Sequence, residues 1–113
     1  RRPEGRGMST LFETLERLAA TIDSRKGGDP AASYTAKLLA DPKLAAKKLG
    51  EEAIELVQAA ALDDADAIAS ESADLIYHWL ALLAAKGVDL DAVAARLEAR
   101  QAQSGIAEKN ARS

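Results

Sequence analysis

The sequence contains no cysteine, only one histidine and few aromatic residues. Without cysteine the chain can form no disulfide, no thiolate metal site and no cysteine nucleophile. Aromatic residues make up 4% of the 113 residues, so few large side chains are available to fill a core. Valine and isoleucine are also scarce, which argues against a β-sheet. These absences leave a small protein whose core must be built mainly from alanine and leucine.

Charge and hydropathy exclude two further classes of protein. Acidic and basic residues make up 29% of the chain and leave a formal net charge of -3. This mild acidity argues against a bulk nucleic-acid binder, which usually carries a basic surplus. The longest apolar stretch, residues 75–85, is interrupted by His78 and is too short to span a bilayer. We therefore expect neither nucleic acid nor a membrane as a partner, and the lack of cysteine is compatible with a cytoplasmic protein.

Alanine and leucine dominate what is present, and both are among the best helix-forming residues. Apolar residues recur at the three- and four-residue spacing of helices, and no strand-like alternation is found. The sequence predicts an all-α fold, a small bundle of about four to five helices in one domain over residues 9–113. Residues 1–8 are interpreted as a basic leader or an expression remnant outside that domain.

Capping signals predict where the helices begin and end. Thr10 followed by Glu13 is typical of a capping box at the start of the first helix. Asp41 followed by Pro42 is typical of a helix start, and Gly87 is typical of a helix stop. The expected helices cover residues 10–24, 31–40, 42–62 and 64–86, and a last one from about 88 to a stop at Ser104-Gly105.

Two acidic pairs stand out within these helices. Glu52 and Glu55 lie three residues apart in the third expected helix, and Glu71 and Asp74 have the same spacing in the fourth. This spacing places both carboxylates of a pair on one helix face, about one turn apart. The second pair also interrupts an otherwise very apolar helix, which favours a specific role for these acids over simple solvation at the surface.

The two pairs are placed symmetrically about the break near Asp63. Glu55 and Glu71 each lie eight residues from Asp63, and Glu52 and Asp74 each lie eleven residues from it. A short connection makes neighbouring helices antiparallel, so the pairs should fall at matching levels of one hairpin. On a helical wheel the acids flank the helix contact, beside a fourth-helix apolar stripe of Ile68, Leu75, Trp79 and Leu83.

Four carboxylates in such a position would repel one another unless a cation joined them. Oxygen ligands without cysteine suit Mg2+ or Mn2+, so the pattern predicts a metal site formed by Glu52, Glu55, Glu71 and Asp74. The alternative is that the acids are only solvated, as acids on helix flanks usually are. The chain would then be a non-catalytic helical adaptor.

Four blocks of sequence extend this pattern into a family resemblance. The two acidic pairs, with fifteen residues between them, resemble the all-alpha nucleoside-triphosphate pyrophosphohydrolase (MazG-like) superfamily. Residues 25–39, 47–55, 71–78 and 104–109 resemble, in this order, the motifs of its phosphoribosyl-ATP pyrophosphatase family. The resemblance covers about residues 11–109, which is nearly the whole chain.

The resemblance implies hydrolysis of phosphoribosyl-ATP to phosphoribosyl-AMP and pyrophosphate, the second step of histidine biosynthesis. It also implies Mg2+ as the cofactor, a cytoplasmic location and a homodimer. A house-cleaning nucleoside triphosphate pyrophosphohydrolase of the same fold is the nearest alternative, because it would share the acids and differ in the residues that contact the base.

Further acids and the single histidine are candidates for the chemistry. Glu51 lies one turn before Glu55 and is a candidate base or outer ligand beside Glu52 and Glu55, although a solvent-facing acid is equally consistent. His78 lies one turn after Asp74 and is a candidate hydrogen-bond donor to that carboxylate. A helix-flank histidine without a function is the alternative.

The substrate is expected to meet cations and one tyrosine. Phosphates need cations or backbone N–H groups, and Lys48 lies one turn before Glu52. Arg25 and Lys37 are included on the strength of the resemblance, because surface lysines and arginines are commonly only solvated. The expected substrate contacts are Arg25, Lys26, Tyr34, Lys37, Lys48, His78 and Lys109.

Overall fold

The computed structural model describes the backbone of residues 6–112 and the side chains of residues 10–103. Within the described backbone the chain forms five helices and no strand, which confirms the predicted all-α fold. The helices are α1 (Arg6–Ser24), α2 (Tyr34–Ala40), α3 (Pro42–Ala61), α4 (Ala65–Lys86) and α5 (Leu90–Arg112). None of the helices that the structure describes combines the length and the apolar character that crossing a membrane requires.

Side-chain caps fix the helices that surround the centre of the molecule. Ser33 precedes α2, Asp41 precedes α3 and Asp64 precedes α4, and each side chain accepts a hydrogen bond from a backbone N–H of the first turn. Such caps satisfy N–H groups that have no partner inside the helix. Gly87 ends α4 in the left-handed conformation at φ 68°, where a glycine pays no steric cost. The predicted signals at Asp41 and Gly87 are therefore confirmed.

Three predicted helix ends are wrong. The first helix begins at Arg6, ahead of the expected cap at Thr10. The second begins at Tyr34, because residues 31–33 form a turn closed on Asp29. The fifth runs through Gly105 to Arg112. A lone glycine costs only about 1 kcal/mol in a helix, and its neighbours favour the helix.

The helices α3 and α4 form the central hairpin, and they share the most extensive packing in the chain. Residues 62–64 connect them. Asp63 turns the chain at φ 54°, a left-handed conformation that aspartate tolerates better than most residues. This short connection folds α4 directly back along α3, as the spacing of the acidic pairs requires.

The core lies where α2 meets this hairpin. Leu38 from α2, Ala45 from α3 and Ala81 from α4 form one cluster, and each is 0% exposed. The alanines allow the helix backbones to approach closely, so a single leucine can fill the space between three helices. This packing fixes the position of α2 over the hairpin.

The buried face of α4 differs from the predicted apolar stripe. Ile68, Leu75, Trp79 and Leu83 are all only half-buried. The buried residues of α4 are instead His78, Leu80 and Ala81. One reason is that α2 covers the side of α4 that carries His78 and Ala81. Apolar periodicity ranks such polar and small residues below bulky ones, so it does not predict that this side is buried.

Candidate functional site

The acids Glu52 and Glu55 of α3 meet Glu71 of α4 at one point of the hairpin. One carboxylate oxygen from each of the three lies within 4.8 Å of the others. Glu52 and Glu71 are half-buried, whereas Glu55 is exposed. The register that was obtained by counting from Asp63 therefore brings three of the four predicted acids together.

Two oxygens of this acidic cluster lack a partner in the part of the chain that the structure describes. Glu52 Oε2 and Glu71 Oε2 are both buried and make no hydrogen bond there. Buried polar side-chain atoms are normally paired, so an unpaired carboxylate oxygen on each of two facing helices requires an explanation. A divalent cation that both oxygens coordinate fits this arrangement, because all the available metal ligands are carboxylate oxygens.

The acids also raise one another's pKa. The pKa of Glu52 rises from the ordinary 4.5 to about 7, first because burial disfavours its charged form. A hydrogen bond with Glu55 and the negative charges of Glu55, Asp74 and Glu71 raise it further. The pKa of Glu71 is raised as well, by burial and then by the charge of Glu55. The cluster thus holds more negative charge than its surroundings offset, which is the electrostatic condition for cation binding.

Asp74 lies at the edge of this cluster. Its carboxylate is exposed and is not one of the three whose oxygens lie within 4.8 Å. Its charge still raises the pKa of both Glu52 and Glu71, so it lies within electrostatic reach of the site. Of the four acids in the predicted metal site, three therefore lie close together and the fourth lies beside them.

His78 is buried with 7% exposure and uses both ring nitrogens. Its Nδ1 lies 2.8 Å from the backbone carbonyl oxygen of Asp74, one turn earlier in α4. Its Nε2 lies 2.9 Å from the hydroxyl oxygen of Tyr34 in α2. The predicted hydrogen bond from His78 to the Asp74 carboxylate is wrong, because the ring points into the interface with α2 while that carboxylate faces solvent.

A second polar contact beside His78 was not anticipated from the sequence. The Thr35 hydroxyl lies 2.5 Å from the Tyr77 hydroxyl, so consecutive residues of α2 meet consecutive residues of α4. The Tyr77 ring also meets the His78 ring edge-on, with centroids 4.9 Å apart. The sequence feature that could have indicated this contact is the Tyr77-His78 pair, which lies one turn after Asp74.

Tyr34 connects this aromatic group to the acids. Burial raises the pKa of Tyr34, and the positive charge of Lys48 lowers it. The charges of Tyr77, Glu52 and Glu51 then raise it further. The phenol therefore lies within reach of the charges on the α3 face that carries the acidic cluster.

The predicted cations are distributed unevenly around the site. Lys48 Nζ lies 3.3 Å from Glu51 Oε1, and this hydrogen bond raises the pKa of Lys48. Lys26 instead pairs with Asp23 at 2.9 Å and lines a groove beside the C-terminal end of α4. That end lies about 22 Å along the helix from Glu71, at about 1.5 Å per residue. Arg25 and Lys37 are exposed, and the Lys109 side chain lies outside the described residues.

The metal-free protein should lose stability as the pH rises from about 4.5 to about 7. The folded chain holds a proton on Glu52 up to about pH 7, whereas the unfolded chain releases it near its ordinary pKa of 4.5. The folded state thus binds more protons in this window, so the free energy of unfolding falls with rising pH. Urea denaturation in the presence of a chelator, repeated across this pH range, measures how the free energy of unfolding changes with pH.

The matched variant for this measurement is Glu52→Gln, which keeps the shape and removes the titrating group. It should flatten the fall in stability with pH. An equal slope in both proteins would show that Glu52 is not the group responsible.

Known proteins are similar to this chain across the residues of this site. The family model described as phosphoribosyl-ATP pyrophosphohydrolase matches residues 15–101, a range that includes the acidic cluster, Tyr34 and His78. A protein of Caulobacter sp. (strain K31) named phosphoribosyl-ATP pyrophosphatase is 70% identical over 105 residues, which cover 93% of this chain and 98% of the relative. One of the same name from Caulobacter vibrioides (strain NA1000 / CB15N) is 70% identical over 102 residues, 90% of this chain and 95% of the relative. A third, from Methylobacterium radiotolerans, is 60% identical over 100 residues, 88% of this chain and 94% of the relative.

Proposed function

The chain belongs to the phosphoribosyl-ATP pyrophosphohydrolase family, and we infer from this membership that it hydrolyses phosphoribosyl-ATP to phosphoribosyl-AMP and pyrophosphate. This reaction is the second step of histidine biosynthesis. The observation that supports the reaction most directly is the cluster of Glu52, Glu55 and Glu71, in which two buried oxygens have no protein partner among the described residues. A hydrolase that acts on a highly charged phosphate chain needs such a place for a cation.

We propose that Mg2+ is this cation and that Glu52, Glu55 and Glu71 hold it, with Asp74 beside them. Mg2+ prefers oxygen ligands and is commonly bound by few carboxylates together with substrate phosphates. The chemistry that it supplies in such sites is charge neutralisation at phosphate oxygens and a lower pKa for the attacking water. The two unpaired oxygens, on opposite helices, are the atoms best placed to bind it.

We propose that Tyr34, Glu51 and the predicted cations bind and orient the nucleotide. Lys48 is half-buried beside the cluster and can neutralise a phosphate oxygen, while its partner Glu51 can accept a proton from water. Tyr34 lies on the same side and can contact the sugar or base. On family membership alone we propose that Arg25, Lys37 and Lys109 bind the phosphates. Lys26 would have to leave its ion pair with Asp23 to join them.

Product formation from phosphoribosyl-ATP, with Mg2+ and with a chelator, tests the proposed function. We expect Mg2+-dependent release of pyrophosphate and phosphoribosyl-AMP. Release of pyrophosphate from canonical or damaged nucleoside triphosphates, with none from phosphoribosyl-ATP, would instead identify a house-cleaning enzyme. No turnover on any nucleotide, together with no change in melting temperature on adding Mg2+, would identify a non-catalytic adaptor.

We propose that the chain forms a homodimer. The buried apolar core of the described residues is small, and an apolar groove of about 470 Å³ lies along α3 and α4. Large apolar side chains are exposed at the same time, which is typical of a surface that a partner covers. They include Phe12, Ile54, Val57 and Leu97. Analytical ultracentrifugation should give the mass of two chains, and a monomer at micromolar concentration would contradict the proposal.

We propose a cytoplasmic location, because the inferred substrate is an intermediate of amino-acid biosynthesis. The absence of cysteine is compatible with a reducing compartment. Fractionation of cells that produce the protein should place it in the cytosolic fraction, and recovery with membranes would contradict this.

A further inference from the structure

The only histidine of the sequence is buried, and both of its ring nitrogens are engaged. A carbonyl oxygen only accepts hydrogen bonds, so the 2.8 Å contact with the Asp74 carbonyl places a proton on Nδ1 of His78. In the neutral ring Nε2 is then an acceptor. The Tyr34 hydroxyl, 2.9 Å away, must donate its proton to Nε2.

This direction of donation determines what Tyr34 offers to the active site. With its only proton directed at His78, the phenol oxygen keeps lone pairs and has no proton for another group. A phosphate oxygen also carries only lone pairs, so Tyr34 is a poor partner for the phosphate chain. Hydroxyl and N–H groups of the ribosyl and adenine parts of the substrate are suitable partners.

The position of Tyr34 supports contact with the substrate. Its side chain is 46% exposed, although its hydroxyl is bound to a buried group. The charges of Lys48, Glu51 and Glu52 act on it from α3, and Tyr77 stacks near it with ring centroids 6.3 Å apart. His78 thus fixes the orientation of the ring from behind, and the ring lies within electrostatic reach of Glu52 in the acidic cluster.

We propose that His78 is a positioning residue, which holds Tyr34 as a hydrogen-bond acceptor for a hydroxyl or N–H group of the nucleotide. This inference rests on the proposed function, since it names the same substrate. His78 itself touches no substrate atom and acts through Tyr34. Family membership alone does not specify the tautomer of His78, the direction of its hydrogen bond with Tyr34 or the part of the substrate that Tyr34 contacts.

Nitrogen NMR of the imidazole tests the tautomer without any enzymatic reaction. Because His78 is the only histidine, a chain without an affinity tag gives one pair of ring nitrogen signals. At about pH 8, above the ordinary range of imidazole titration, we expect the Nδ1–H tautomer. Tyr34→Phe should shift the Nε2 signal, because it removes the donor. An Nε2–H tautomer in the intact protein would overturn the inference.

A double-mutant cycle on KM tests the function of the contact. Tyr34→Phe and His78→Leu should each raise KM for phosphoribosyl-ATP about three- to tenfold with kcat nearly unchanged, the size expected for one hydrogen bond. The double variant should be no worse than Tyr34→Phe alone, because His78 acts through Tyr34. His78→Gln, which offers an acceptor near the position of Nε2, should restore most of the affinity.

The neighbouring contact supplies the control. Thr35→Val removes the hydrogen bond to Tyr77, so it should lower stability and leave KM unchanged. Additive effects of Tyr34→Phe and His78→Leu, or equal KM values for His78→Gln and His78→Leu, would overturn the inference and leave the proposed function intact. Absence of turnover in the unmodified protein would overturn both.

Discussion

Replacing Glu55 with glutamine should lower kcat/KM for phosphoribosyl-ATP by about two to three orders of magnitude, the size of effect seen when one preorganised charge-stabilising group is removed from an active site. Glu55 lies close to both other acids, since one carboxylate oxygen from each of the three lies within 4.8 Å of the others. Its charge also raises the pKa of Glu52 and of Glu71. Glutamine keeps the shape of the side chain and removes the charge that cation binding requires. Steady-state kinetics at several Mg2+ concentrations measure the loss.

In the absence of metal, Glu55→Gln should raise the stability of the folded protein. Glu55 repels the negative charges of Glu52 and Glu71, so its neutralisation relieves a repulsion in the folded chain at neutral pH. Saturating Mg2+, at about one hundred times its dissociation constant, should stabilise the unmodified protein by about 2.7 kcal/mol, and this gain should be largely lost in Glu55→Gln. Low activity is then not attributable to unfolding.

Glu98→Gln is the matched control, since Glu98 is an exposed acid of α5 and undergoes the same chemical change. It should leave kcat/KM and the effect of Mg2+ unaltered. If Glu55→Gln retained the activity and the Mg2+ stabilisation of the unmodified protein, the three acids would not form the metal site.

The acidic cluster was predictable because it depends only on the spacing of the acids from the turn between two helices. A short hairpin fixes the register of two helices, so equal spacing from Asp63 is enough to pair Glu55 with Glu71. Counting does not fix how far each carboxylate reaches across the contact. For that reason the sequence did not separate Asp74, which acts at the edge, from the three acids that lie together.

The contact of Tyr34 with His78 was not predictable in the same way. It joins residues 44 positions apart on helices that are not consecutive, and it depends on how α2 crosses the hairpin. A helical wheel ranks positions by apolar character, so it assigned the buried face of α4 to bulky residues such as Trp79 and placed His78 on a flank. The buried face of α4 instead carries Ala81, whose small side chain allows α2 to pack against it.

Leu38→Ala should destabilise the fold by about 2–5 kcal/mol, the usual cost of truncating a fully buried leucine. Leu38 is 0% exposed, and its cluster partners Ala45 and Ala81 are too small to fill the space that it would leave. A domain of this size is stable by only about 5–15 kcal/mol, so the loss is a large share of the total. Urea denaturation at one fixed protein concentration measures it.

Leu62→Ala is the control for this prediction, because Leu62 is 79% exposed and the same atoms are removed. Its effect should stay within about 0.5 kcal/mol. A similar small effect for Leu38→Ala would mean that the contact of α2 with the hairpin contributes little to folding. In that case α2 would also be too weakly held to fix Tyr34 beside the acids, so the stability of this one leucine contact bears directly on the geometry of the active site.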